Sequence, residues 1–384
     1  MGKIVYFDNA ATTFPKPDVV YTFMDSFYRE YGVNVGRGQH KLASVASNLV
    51  EETRLLLMNL FHCTNKKIVF TNTATEAINI ILQGLKLRNN SNIYISPFEH
   101  NAVIRVLHYL QGIYNLNLIT LPVDKITLDY DLEKIRYQFT EKNPDMLVLN
   151  HASNVCGIVS PINSICTLSK EYDCINIVDM AQTAGLIDTD LSSNVIDFTV
   201  FAGHKALYGP FGIAGFTCRG DIELKPLLYG GTGFDSANKN QPETIPERFE
   251  VGSPNIMAIS GLHAALNWIN ETSIQRIYQK DISNHKKLLD ILKGFKNIKI
   301  VGHSENNSVG IVSCVFDGYS SDNIGHVLSE HGIAVRAGLH CAPSAHKFLG
   351  TYPAGTVRFS VNYFNNDNDF SKLYDILEYI EINS

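Results

Sequence analysis

Between about residue 45 and residue 220, stretches with apolar residues at helical spacing alternate with short runs that are apolar at nearly every position. Ser47–Phe61 has helical periodicity, with Ser47 as the expected N-cap and Glu51 and Glu52 in the early turns. Lys67–Thr71 reads as a strand, Glu76–Leu87 as a helix, Asn92–Ser96 as a strand, Asn101–Gly112 as a helix and Leu116–Leu121 as a strand. The alternation continues through a helix at Asp131–Glu141, a strand at Met146–Asn150 and a helix at Pro161–Tyr172, where proline sits in an allowed first turn. Strands follow at Ile175–Asp179, Phe198–Ala202 and Ile213–Thr217. Strands apolar throughout are buried on both faces, which predicts an α/β fold with a mainly parallel sheet between helices.

After residue 220 the texture changes. Tyr229–Phe249 is rich in Gly, Asn, Pro and charge and reads as a long ordered loop, a feature that usually carries function. Helices are predicted at Met257–Ile269 and Arg276–Leu292. The tail then alternates: strands at Ile298–Val301 and Val309–Phe316, a helix at Asp322–His331, strands at Ile333–Arg336 and Val357–Val361, and a helix from about Phe370. The expected division is a large domain over 20–260 and a smaller α+β domain built from 1–19 and 261–384.

Ligands of open parallel sheets gather at the carboxyl ends of the strands. Five predicted strand ends carry polar or ionisable groups. They are Thr71-Asn-Thr73-Ala-Thr75-Glu76, Glu99-His100, His151-Ala-Ser-Asn154, Asp179 with Gln182, and Gly203-His204-Lys205. A lysine in a turn of small residues after an apolar strand is placed for desolvation, which lowers its pKa and makes it a Schiff-base nucleophile. A carboxylate at a nearby strand end can pair with a protonated pyridine nitrogen. A threonine-rich turn opening a helix can hold a phosphate. Together these are what pyridoxal phosphate needs. Singly, each has a plainer reading: Asp179 or Thr73 as a helix cap, His100 as a structural histidine, Lys205 as a solvated loop lysine.

Composition changes the picture little. Hydrophobic residues make up 45% and charged residues 18% of 384, and the net charge is -6. A mildly acidic chain gives no electrostatic ground for nucleic-acid or membrane binding. No apolar run reaches the roughly 18 residues that span a bilayer. The first residues lack the apolar core of a secretion signal, so a soluble, cytoplasmic protein is expected. Seven cysteines, with no Cys-x-x-Cys pair, argue against a disulfide framework and a four-cysteine zinc site. Cys341 stands apart, in Arg336-Ala-Gly338-Leu-His340-Cys341-Ala342-Pro343, where turn-forming residues predict an exposed loop and a nearby Arg or His favours the thiolate. A zinc site from His340, Cys341 and His346 lacks a clear fourth ligand, and no metal is expected.

These residues resemble the cysteine desulfurases and selenocysteine lyases of the class V aminotransferase fold. Further markers are Tyr6-Phe-Asp-Asn-Ala-Ala-Thr12, Gly36-Arg37-Gly-Gln39-His40, Arg248-Phe-Glu-Val-Gly252 and Val357-Arg358-Phe-Ser360. The resemblance implies a pyridoxal-phosphate enzyme of fold type I, with a seven-stranded sheet in the large domain and the cysteine loop in the small one. It implies that Lys205 carries the cofactor and moves the substrate Cα proton. Asp179 would pair with the pyridinium nitrogen, and His100 would stack on the ring. Gln182 and Asn154 would contact the ring hydroxyl or the substrate carboxylate. Ala74, Thr75 and His204 would bind phosphate, Thr232 would complete the phosphate site of the neighbouring subunit of a homodimer, and Arg358 would clamp the substrate carboxylate. Cys341 would take sulfur from L-cysteine as a persulfide, leaving alanine, and hand it to an acceptor protein. One departure is Ala202, where the family commonly has a phosphate-binding Ser or Thr; the lost contact is worth about 1–2 kcal/mol. The resemblance equally covers release of selenium from L-selenocysteine. Other class V reactions (transaminase or β-lyase) would leave Cys341 idle, and a non-catalytic assembly subunit has only Ala202 in its favour.

Overall fold

Alternating patterns become alternating elements. The computed structural model describes residues 4–36, 38, 40–233, 237–304 and 307–383; Arg37 and Gln39 of the Gly36–His40 marker lie outside the described residues. In chain order the first half comprises β1 (Val5–Tyr6), α1 (Asp18–Tyr31), α2 (Lys41–Leu60), β2 (Lys67–Thr71), α3 (Ala74–Gly84), β3 (Asn92–Ile95), α4 (Asn101–Tyr114) and β4 (Asn117–Thr120). Next come α5 (Leu132–Glu141), β5 (Met146–Asn150), α6 (Ile162–Lys170), β6 (Ile175–Asp179), β7 (Phe198–Ala202) and β8 (Ala214–Cys218). The tail holds α7 (Ile256–Thr272), α8 (Ile274–Lys293), β9 (Ile298–Val301), β10 (Ile311–Phe316), α9 (Ser321–Glu330), β11 (Ile333–Ala334), β12 (Arg336–Gly338), α10 (Pro343–Leu349), β13 (Thr356–Ser360) and α11 (Asp367–Ile382).

The central sheet has seven strands in the order β2-β8-β7-β6-β5-β3-β4. β8 runs antiparallel to both its neighbours, and the other described pairings of this sheet are parallel. The apolar runs are apolar because both faces are covered. In β5, Leu147 and Leu149 enter one hydrophobic layer, while Met146 and Val148 enter the other. Trimming Leu149 to Ala would cost about 2–5 kcal/mol. Register brings the functional strand ends level: Asn150 pairs with Asp179, and Asp179 with Val200.

A second, antiparallel sheet in the order β12-β13-β10-β9 forms the tail lobe over its own apolar cluster, which includes Phe7, Leu288, Phe359 and Leu373. The chain start belongs to this lobe. β1 pairs in parallel with β11, and Asp8 bridges to Ser360. Residue 260, the expected domain boundary, falls inside α7, which packs on α1 and α2.

Several expectations change. α2 starts at Lys41, not Ser47, because His40 caps it: its imidazole Nδ1 accepts from the Ala43 amide at 3.2 Å. Ile333–Arg336 is two short strands rather than one, since Ile333 pairs with β1 and Arg336 with β13. α10 begins two residues after Cys341, with Pro343 in its first turn, so the expected exposed loop is only a tight connection. No described helix is long and apolar enough to cross a membrane.

Candidate active site

The level strand ends enclose a cavity of about 260 Å³. β2 and α3 contribute Thr73, Ala74 and Thr75, and the start of α4 contributes His100. The segment after β5 brings Asn154, the end of β6 and its following turn bring Asp179 and Gln182, and β7 with its following turn brings Ala202, His204 and Lys205. Of the expected site residues, Cys341, Arg358 and Thr232 are not on this wall.

Lys205 and Asp179 are exposed only in part, and that part lines the cavity; dense protein surrounds the rest. Burial therefore pulls the Lys205 ammonium down to about 8, against the opposing pull of the Asp179 carboxylate. Its amine makes no hydrogen bond among the described residues. Burial pushes the Asp179 carboxyl up, countered by the Ala181 amide donating to Oδ1 at 2.9 Å and by the Lys205 charge. His100 caps α4, its Nδ1 accepting from the Ala102 amide at 3.0 Å. Burial, then the charges of Lys205 and of Arg336, Arg358 and Arg105, push it down to about 4. The neutral ring therefore carries its proton on Nε2.

The fit to a phosphate follows from donors left over. The first N–H groups of a helix have no intrahelical acceptor. Thr73 satisfies Glu76 with its side chain and Ala77 with its carbonyl. The Ala74 and Thr75 amides, at the cavity wall, have no acceptor among the described residues. Nδ1 of His204 is buried without a partner, its ring stacked on Phe211 at 4.6 Å. Ala202 occupies the wall at the end of β7 and offers only a methyl group.

A segment that carried no assigned role in the sequence fixes the lysine turn. Thr12 Oγ1 donates to the His204 carbonyl at 2.9 Å and Thr13 Oγ1 to that of Lys205 at 2.8 Å. Lys16, pulled down to about 8 by burial, donates to the Thr13 carbonyl at 2.8 Å. The same stretch supplies Asp8, whose carboxylate accepts from Arg358 Nη2 at 2.7 Å. The Tyr6–Thr12 marker pointed to this segment, but nothing local in it reveals what it touches. Glu99 was also missed as a structural anchor. It is sealed at 0% exposure, and its Oε1 accepts from Ser96 Oγ and the Asn150 amide, both at 2.7 Å. Burial pushes it up to about 8.

Arg358 is also at 0% exposure. It lies behind the cavity wall, with Nη1 donating to the Asn154 carbonyl at 2.9 Å and Nε buried without a partner. Asn154 in turn donates from Nδ2 to the His340 carbonyl at 2.7 Å, tying the wall to the cysteine loop. That loop is tight. Gly338 (φ 98°) and Gly355 (φ 75°) meet backbone to backbone, and a Cβ on Gly355 would stand 2.4 Å from the Gly338 carbonyl carbon. His340 and Cys341 are both left-handed (φ 49° and 58°), a conformation that costs non-glycine residues about 1 kcal/mol or more each. The Asn101 amide donates to the Cys341 carbonyl at 2.7 Å, and His340 Nε2 bonds Thr356 Oγ1 at 2.9 Å. Arg336 Nη2 lies 3.1 Å from the Cys341 sulfur. Cys341 borders a second cavity that shares Thr75, His100 and Ala102 with the first. The other cysteines are buried.

Thr232 lines a separate pocket with Arg54 and Glu250 and does not reach the Lys205 cavity of its own chain. Among the described residues no group of three or more His, Cys, Asp or Glu could hold a metal ion.

A family model for class-V aminotransferases matches residues 5–373. The chain belongs to the class-V aminotransferase family. Probable cysteine desulfurases of Methanothermobacter thermautotrophicus and Pyrococcus abyssi are 29% and 30% identical to it; each match covers 98% of this chain and 94% of the relative. The apo structure of a cysteine desulfurase from Thermococcus onnurineus superposes with a TM-score of 0.91 at 28% identity, covering 99% of this chain and 95% of that one. The seven-stranded sheet in its α/β setting is thus that of class-V, fold-type I pyridoxal-phosphate enzymes.

Proposed function

We propose that this chain is a cysteine desulfurase that converts L-cysteine to L-alanine and keeps the sulfur as a persulfide on Cys341. The observation that carries the reading is the convergence of two cavities on one wall: Lys205, Asp179 and His100 on one side, Cys341 on the other, with His100 and Thr75 common to both. The likeness to curated cysteine desulfurases along nearly the whole chain supports it.

Pyridoxal 5'-phosphate suits the donor set. The Ala74 and Thr75 amides and His204 Nδ1 would hold its phosphate, Asp179 its ring nitrogen, Lys205 its carbonyl carbon, and Gln182 its ring hydroxyl, with His100 covering the ring. When bound, it withdraws electrons from the substrate Cα and so weakens the Cα–H bond. The Lys205 amine, its pKa drawn down to about 8 by burial, takes the Cα proton. Asn154 orients the substrate carboxylate, and Arg358, enclosed behind the wall, holds Asn154 in place through its carbonyl. The Cys341 thiolate, with the Arg336 guanidinium beside it, attacks the substrate sulfur, and the Cβ–S bond breaks. In this reading the chain acts as a cytoplasmic homodimer in which Thr232 serves the neighbouring phosphate site, and the persulfide passes to an acceptor protein.

Mass spectrometry of Cys341 after exposure to cysteine tests the reaction. The expected result is a gain of one sulfur at that residue, absent in Lys205→Ala. Full alanine production by Cys341→Ala would overturn the role given to the thiol. Parallel assays on selenocysteine separate the sulfur from the selenium reaction.

A further inference from the structure

The wall that Cys341 shares with His100 also faces outward, onto a cleft of about 380 Å³. On the α4 side this cleft carries Asn101, Arg105 and Tyr109, and Asn79 of α3 stands across from them. Among the described residues, no carboxylate lines it. Arg105 is exposed and makes no hydrogen bond or ion pair among the described residues, yet its charge reaches His100. Arg336 adds a second guanidinium at the Cys341 sulfur. A chain with a net charge of -6 therefore presents a cationic hollow at its one accessible thiol. At about 380 Å³ the hollow has room for a molecule of amino-acid size next to the sulfur.

We propose that this cleft is an acceptor subsite for a small carboxylate-bearing thiol, with Arg105 holding the carboxylate and the acceptor sulfur meeting Cys341. The inference rests on the persulfide reading above. The acceptor thiol loses its proton to solvent and attacks the outer sulfur of the Cys341 persulfide. A bond forms between acceptor sulfur and outer sulfur, and the bond between the two persulfide sulfurs breaks. Its electron pair returns to Cys341 as thiolate. The acceptor departs as its own persulfide, and no external oxidant or reductant enters.

The full-length protein is loaded with inorganic polysulfide, which persulfidates an accessible thiolate directly, so loading does not depend on cysteine turnover. Cys63, Cys156, Cys166, Cys174, Cys218 and Cys314 are buried and stay unmodified. Mercaptopropionate, mercaptoethanol and cysteamine are then supplied at equal thiolate concentration, and loss of one sulfur from Cys341 is followed by mass spectrometry. The expected rates fall in that order, by roughly threefold per unit of charge in a water-filled cleft. Arg105→Gln narrows the order, because Arg336 keeps its charge at the sulfur, and Arg105→Glu levels it. Equal rates for the three thiols, or the same order persisting in Arg105→Glu, overturns the proposal. So does discharge no faster than in buffer alone, which leaves a protein acceptor as the route. Failure of the desulfurase reading looks different: cysteine leaves Cys341 without added sulfur, while polysulfide-loaded protein still shows the charge order.

Discussion

Substituting Ala202 by serine isolates the one place where the phosphate cradle lacks a side-chain donor. Ala202 ends β7, is 2% exposed, and pairs across the sheet with Ala214, so the Cα–Cβ direction is fixed and an added hydroxyl takes a staggered χ1 position about it, one that reaches the cavity its methyl lines. That cavity, of about 260 Å³, is also lined by Ala74, Thr75 and His204, whose Nδ1 is spare. One oxygen adds little volume to that space, so steric cost is small. A hydrogen bond to a charged acceptor contributes about 1.5–3 kcal/mol, of which desolvation and ordering of the hydroxyl remove about 1 kcal/mol. The net of about 1 kcal/mol predicts roughly fivefold tighter cofactor binding. Titration of apo protein with pyridoxal phosphate, followed by visible absorbance, measures it, with Ala202→Val as a control that adds bulk without a donor and should weaken binding. Unchanged affinity in both variants would show that the phosphate does not sit against the end of β7, and the assignment of Ala74, Thr75 and His204 to it would fall.

Other predictions follow from the buried charges and thiols. The Lys205 amine titrates near 8, so the rate of cofactor attachment to apo protein should climb with pH below about 8 and level off above it; Asp179→Asn removes the charge that raises this value and should move the plateau to lower pH. Glu99 is held up at about 8 against an ordinary 4.5, so the folded state binds the extra proton and the associated stability is full below 4.5 and lost as pH rises through about 8. Glu99→Gln should flatten that fall in melting temperature, and an unchanged slope would place the fall elsewhere. A thiol reagent should find one fast-reacting cysteine in the native protein, Cys341, and six only after unfolding; two fast thiols would contradict the burial pattern.

The central sheet was legible because its strands are apolar on both faces and its helices are not. The polar residues at the strand ends were legible for the same reason, since they interrupt continuous apolar runs. α1 escaped because only Val20 and Phe27 are fully buried in it, too thin a stripe to stand out from its aromatic and charged surroundings. The antiparallel course of β8 leaves no mark on a run buried on both sides. The contacts that organise the site, Asp8 with Arg358 and Asn154 with the His340 carbonyl, join residues far apart in the chain, and no local pattern encodes them. Arg358 illustrates the limit well: the sequence marked it as functional, while its enclosure behind Asn154 is purely a matter of packing.

The stretch from Asp8 to Lys16 braces the Lys205 turn at one end and Arg358 at the other, across a separation of 350 positions in the second case. In synthesis this stretch precedes both docking partners, the Lys205 turn by nearly two hundred residues and Arg358 by 350. The large sheet, complete at β8, can close before Arg358 is made, but the hollow stays unbraced on that side until Arg358 has been translated. Contacts of such sequence distance are slow to form, so competence for chemistry should trail behind the formation of the central sheet.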